Sequence, residues 1–97
     1  VNCPLEGAKD ADVLYTDVWA SMGQEDEAAA RKEVFKGFQI NEKVLELAKK
    51  DAIVMHCLPA YKGQEITAEI FEKYSRVIFN ESENRLHAHK GILAAIM

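Results

Sequence analysis

The sequence predicts an α/β fold, a parallel sheet flanked by helices in a three-layer arrangement. Two observations carry this. Short, nearly continuous apolar runs at 13–18, 53–58 and 76–79 suit strands covered on both faces. The stretches around them carry helical spacing and capping signals. The resulting order is helix, strand, helices, strand, helix, strand, helix. Such an order implies parallel strands joined by right-handed crossovers.

The elements follow in chain order. Residues 4–11 read as a short helix with Pro4 in its first turn. The first strand, Val13 to Val18, is rich in β-branched and aromatic residues and leads into a loop at 19–24. Residues 25–36 read as a helix. Its acidic start suits the positive end of the helix dipole, Glu27 precedes Arg31 by four positions, and Gly37 stands where it would end. Asn41 is placed to cap a second helix whose apolar stripe is Val44, Leu45 and Ala48. The second strand, Ile53 to Leu58, stops at Pro59, and 61–65 reads as a polar loop. Thr67 is placed to cap a short helix running to Lys73. Arg76 to Phe79 is the expected third strand. The last helix is expected to begin at 81–84 and to present Leu86, His89, Leu93 and Ile96 at helical spacing.

Composition narrows the class of function. The chain is 48% apolar and 29% charged, ordinary for one globular domain. Its net charge of −4 argues against a general nucleic-acid binder, which needs clustered Lys and Arg, but leaves room for a local cationic pocket. The apolar stretches are far too short to span a bilayer, and no signal-peptide layout is present. Two cysteines, Cys3 and Cys57, read as free thiols of a cytoplasmic protein rather than as a disulfide scaffold. The absence of an initiator Met at Val1 and the apolar end at 92–97 read as a piece of something larger.

In parallel α/β sheets ligands collect at the carboxyl ends of the strands. That rule selects Asp17 to Gly23, His56 to Ala60, and Asn80 to Arg85. Asp17 could bind an amine, or it could simply cap a turn. Ser21-Met22-Gly23 offers backbone amides in a loop. His56 and Cys57 are strand neighbours pointing to opposite faces, so they do not form a nucleophile pair. Cys57 is then either a core thiol or a site residue exposed at the strand end before Leu58-Pro59, where a cis peptide could aim a carbonyl into a site. Arg85, near the expected helix start, could fork onto a phosphate or carbonyl oxygen, or pair with Glu81 or Glu83. The glycines are scattered, with no phosphate-loop pattern. His87 and His89 fall on different sides of a helix, which suits one packed and one solvated imidazole better than a zinc site.

Three stretches together carry a resemblance: residues 11–25 (ADVLYTDVWASMGQE), 56–60 (HCLPA) and 81–87 (ESENRLH). In order and spacing they resemble the aspartate/ornithine carbamoyltransferase superfamily, and the Ser-Met-Gly loop resembles its ornithine-using members. The resemblance implies a partial, Rossmann-like ornithine-binding domain over 1–97. It implies transfer of a carbamoyl group from carbamoyl phosphate to the side-chain amine of ornithine, giving citrulline and phosphate in arginine metabolism, with no metal or organic cofactor. It implies that Asp17 holds the α-ammonium of ornithine, and that Ser21 and Met22 bind its amino-acid end. Cys57 would orient the attacking amine, the Leu58 carbonyl would accept from the carbamoyl NH2, and Arg85 would contact the carbamoyl phosphate oxygens.

The family's Ser-Thr-Arg-Thr phosphate loop, His-Pro-x-Gln segment and Asp-Gly-x-Asn-Asn segment do not occur in these residues. The resemblance therefore covers roughly the last third of such an enzyme, whose trimer contacts rest largely on the other domain. The expected partners are ornithine and carbamoyl phosphate, with neither nucleic acid nor membrane, in a parent that is a homotrimer or larger. The 97 residues alone are expected to be inactive and to self-associate through an unpaired sheet edge; a clean monomer in sedimentation would contradict the latter. The competing expectations are a non-catalytic amino-acid-binding or regulatory module, and an excised sub-domain that folds or associates alone.

Overall fold

The computed structural model describes residues 1–21 and 23–97. Its elements are α1 (Pro4–Ala8), β1 (Val13–Thr16), a 3-10 turn (Glu25–Glu27), α2 (Ala28–Val34), α3 (Glu42–Leu47), β2 (Ile53–His56), α4 (Ala68–Lys73) and α5 (Ser75–Ile96). The fold is α/β, and the two strands pair in parallel with Val13 opposite Ile53 and Thr16 opposite His56. Both strands end two residues earlier than their apolar runs. Asp17 and Cys57 are thereby the first residues past the paired ends, one register step beyond Thr16 and His56.

The capping signals act as their chemistry requires. The Asn41 side chain accepts a hydrogen bond from the Val44 amide at 3.1 Å, and Thr67 Oγ1 accepts from the Ile70 amide at 3.3 Å. Each satisfies one of the amides that a helix start leaves unpaired. The helix expected at 25–36 opens as a 3-10 turn and is α-helical only over Ala28–Val34. Arg31 Nε bonds Glu27 Oε2 at 3.1 Å, and Gly37 adopts φ +96°, a conformation that costs glycine little.

The third strand is corrected. Residues 76–79 lie inside α5, which begins at Ser75 and runs for 22 residues. A run of three apolar residues fits either a strand or a buried helical turn. Here Ile78 is fully buried while its neighbour Phe79 is half-exposed, and the Ile78 amide bonds the Tyr74 carbonyl at 3.0 Å. One helical face is buried, and the helix satisfies its own backbone without a strand neighbour. The described sheet therefore has two strands. The expected stripe of Leu86, His89, Leu93 and Ile96 is exposed in this structure, and so are both His87 and His89.

The core lies between the sheet and the helices: Leu14 and Val54 from the strands, Val44, Ile70, Phe71 and Ile78 from the helices, and Ile40 and Ile66 from a short parallel bridge. Full burial of side chains such as Ile66, Ile70 and Ile78 contributes about 1.5–3 kcal/mol each. This core anchors α5 against the sheet and so fixes where the α5 side chains meet the strand ends. The outer edge of β1 carries the exposed Val13 and Tyr15 beside an apolar cleft that includes Trp19, Phe35 and Phe38. None of the described helices is long and apolar enough to cross a membrane.

Candidate functional site

The carboxyl ends of β1 and β2 open into a cleft of about 500 Å³. Asp17, Ser21, Cys57, Leu58, Pro59 and Arg85 line it. Residues selected at three separate places in the sequence thus meet, two of them after the strands and one on α5. Met22, selected with them, lies outside the described residues.

The parallel register explains the pairing of Asp17 with Cys57. As the next residues after the opposed Thr16 and His56, they leave the sheet side by side. The Cys57 thiol stands beside the Asp17 carboxylate, and the Val18 amide donates to Asp17 Oδ1 at 2.6 Å. The neighbouring thiol first, and then the Val18 amide, hold the Asp17 carboxyl below the usual carboxylate range. Asp17 is exposed, so an incoming cation can reach it. The local turn contact and an open carboxylate coexist.

Cys57 shows the opposite shift. Burial and the neighbouring Asp17 carboxylate push its thiol up to about 11. At neutral pH it is a hydrogen-bond donor, not a thiolate nucleophile. We expect iodoacetamide labelling of Cys57, followed by mass spectrometry with the exposed Cys3 as reference, to be slow at pH 8 and to accelerate up to pH 10. Asp17→Asn removes the carboxylate that stabilises the protonated thiol, so the profile should move to lower pH. A profile unmoved by Asp17→Asn would show that the two side chains are not coupled.

The Cys57 backbone is held from the far side of the strand. His56 is fully buried, and its Nδ1 accepts from the Leu58 amide at 2.8 Å. The other ring nitrogen, Nε2, lies 2.7 Å from Glu65 Oε1. His56 and Cys57 thus point to opposite faces, as strand alternation requires. Leu58 has φ +59°, and the Leu58-Pro59 peptide is cis.

The Ser21 loop is closed locally. Gln24 Oε1 accepts from the Ser21 amide at 3.2 Å, and the Gln24 amide returns to the Ser21 carbonyl at 3.0 Å. Gly23 takes φ +87° in the same turn, a conformation that strains residues with a Cβ.

Arg85 reaches the cleft from α5 and forms no ion pair among the described residues. Because α5 begins at Ser75, Arg85 sits in the helix interior rather than at its start. The helix dipole, whose effect fades within the first turn, adds little there. The guanidinium alone supplies the positive charge.

Glu81 and Tyr15 were not singled out as site residues, yet they frame it. Glu81 Oε2 accepts from Tyr15 Oη at 2.7 Å, and Glu81 Oε1 accepts from the His56 amide at 3.1 Å. One carboxylate therefore ties α5 to both strand ends. The bond to Glu81 is the main reason the Tyr15 hydroxyl is pushed up to about 12. The available signal was spacing: Glu81 precedes Arg85 by four residues, one helical turn, so the two share a face. Engaged with both strands, Glu81 is not the partner of Arg85.

Comparison with known proteins fits this geometry. Residues 1–96 match the family described as aspartate/ornithine carbamoyltransferase, Asp/Orn binding domain. The ornithine carbamoyltransferase of Syntrophus aciditrophicus is 57% identical over 94 residues, covering 97% of this chain and 31% of that protein. That of Thermococcus kodakarensis is 51% identical over 94 residues, covering 97% of this chain and 30% of its own length. Among solved structures, the anabolic ornithine carbamoyltransferase from Campylobacter jejuni superposes with a TM-score of 0.89 at 50% identity, over 94% of this chain and 30% of that one. The chain thus spans about 30% of the length of these relatives. With nearly every residue matched and the cleft-lining loops within the match, the chain belongs to the aspartate/ornithine carbamoyltransferase family, through its aspartate/ornithine-binding domain.

Proposed function

We propose that these residues form the ornithine side of an ornithine carbamoyltransferase, which moves the carbamoyl group of carbamoyl phosphate onto the side-chain amine of ornithine. The observation that carries the reading is the cleft itself. A reachable carboxylate and a neutral thiol stand together at the strand ends, and a guanidinium with no ion pair among the described residues lines the same space. A zwitterionic amino acid and a phosphate-bearing partner need that combination. The relatives' names give the same substrate.

In this reading Asp17 takes the α-ammonium of ornithine through a charge-assisted bond. Ser21 and Met22 hold its amino-acid end. Cys57 directs the side-chain amine toward the carbamoyl carbon. The neutral amine attacks, a C–N bond forms, the C–O bond to phosphate breaks, and the proton lost by the nitrogen ends on the departing phosphate. Negative charge grows on the carbonyl oxygen and then on the departing phosphate, where Arg85 stabilises it. The Leu58 carbonyl accepts from the carbamoyl NH2 and fixes the face presented to the amine. Most of the rate then comes from positioning two substrates and from preorganised charge.

The full-length protein carrying these residues tests this. With carbamoyl phosphate it should form citrulline from ornithine and give no product with aspartate or putrescine. Equal turnover of putrescine would overturn the role of Asp17, because putrescine has no α-amino-acid end. Citrulline formation by residues 1–97 alone would overturn the assignment of these residues to one side of a larger site.

A further inference from the structure

We propose that His56 and Glu65, neither of which lines the cleft, are positioning residues that hold the Leu58 peptide for catalysis. The inference rests on the carbamoyl-transfer reading above. Both side chains are fully buried. Together they form a continuous hydrogen-bonded chain beneath the loop. The Leu58 amide donates to His56 Nδ1 at 2.8 Å; His56 Nε2 bonds Glu65 Oε1 at 2.7 Å; and the Tyr61 amide donates to the same oxygen at 2.8 Å. The chain spans Leu58, Pro59 and Ala60 from below and grips the backbone on both sides.

The geometry fixes the tautomer. Nδ1 accepts from an amide, so the ring proton sits on Nε2 and is donated to Glu65. Glu65 is itself anchored: its carbonyl accepts from the Ile40 amide at 2.9 Å, and Ile66 beside it is fully buried. Glu65 Oε2 is buried with no partner among the described residues. Burying an imidazole and a carboxylate to make a mere turn is costly when apolar residues would serve. What the arrangement supplies is a fixed Leu58, a non-glycine residue at φ +59° whose carbonyl would otherwise be free to swing.

Two substitutions in the full-length enzyme separate the ends of this chain. In His56→Asn the amide oxygen stands near the place of Nδ1, so it can still receive the Leu58 amide but cannot reach Glu65. In His56→Gln the side chain reaches Glu65 but leaves the Leu58 amide without its acceptor. His56→Gln should lower kcat about tenfold or more, with ornithine KM within about twofold of wild type. His56→Asn should keep kcat within about threefold. Thermal melts establish that both fold. If neither does, Glu65→Gln against Glu65→Leu gives the same contrast from the other end: the amide keeps an acceptor for His56 and Tyr61, and leucine removes it. A contrast of the stated sense supports the proposal. Equal kcat values within the folded pair overturn it, as does a wild-type kcat for the variant lacking the acceptor. Failure of the wild-type enzyme to carbamoylate ornithine would overturn the functional reading instead, so the two failures are distinguishable.

Discussion

Arg85→Ala in the full-length enzyme is expected to raise the KM for carbamoyl phosphate roughly 10- to 100-fold, the loss of one charge-assisted fork. The structure sharpens the reason. Arg85 has no acidic partner among the described residues. Its removal therefore exposes no orphaned carboxylate, and the loss is confined to the anion. Placed in the interior of α5, it receives little help from the helix terminus, so no backbone amides stand in for it. Arg85→Lys should recover only part of the loss, because an ammonium keeps the charge but not the planar fork. Ornithine KM should change far less. Steady-state kinetics with each substrate varied in turn check both statements. An unchanged carbamoyl phosphate KM in Arg85→Ala would remove Arg85 from the site.

Cys57→Ala is expected to lower kcat by roughly tenfold while leaving the carbamoyl phosphate KM within about twofold. A thiol pushed up to about 11 is protonated throughout the neutral range. It can orient Asp17 and an amine by hydrogen bonding, but it cannot act as a base there. Cys57→Ser keeps a donor in nearly the same place and should restore most of the rate. Alanine leaves Asp17 without the neighbouring thiol that most lowers its carboxyl, so ornithine KM should rise modestly as well. If Cys57→Ala matches wild type in kcat and ornithine KM, the thiol is a packing group. If serine is no better than alanine, shape rather than hydrogen bonding is what matters.

The features legible in the sequence were those set by local chemistry or by strand ends. Asn41 and Thr67 cap because an oxygen one residue before a helix start meets a free amide. Asp17 and Cys57 were found because apolar runs mark parallel strand ends to within two residues, and ligands collect there. The face opposite Cys57 followed from simple alternation. What escaped had non-local causes. Residues 76–79 carry β-branched residues, and only the burial of Ile78 between sheet and helices decides for helix. Glu65 looked like part of a polar loop because nothing in its neighbours announces an imidazole nine residues upstream. Glu81 looked like a partner for Arg85, since helical spacing permits that. Its actual partners, Tyr15 and the His56 amide, lie 66 and 25 residues away.

The Glu81 tie has a consequence for how such a site can vary over evolutionary time. The carboxylate pins one point of α5 to the strand ends, and the guanidinium stands a single helical turn further on, about 6 Å along the axis. That turn works as a ruler. Substitutions on the solvent side of α5 leave its marks where they are, so that surface can drift freely. A one-residue insertion or deletion between Glu81 and Arg85 cannot be absorbed in the same way. It would rotate the guanidinium by about 100° around the helix and carry it out of the cleft. The spacing between those two residues should tolerate no change in length, even where the residues within it are replaced.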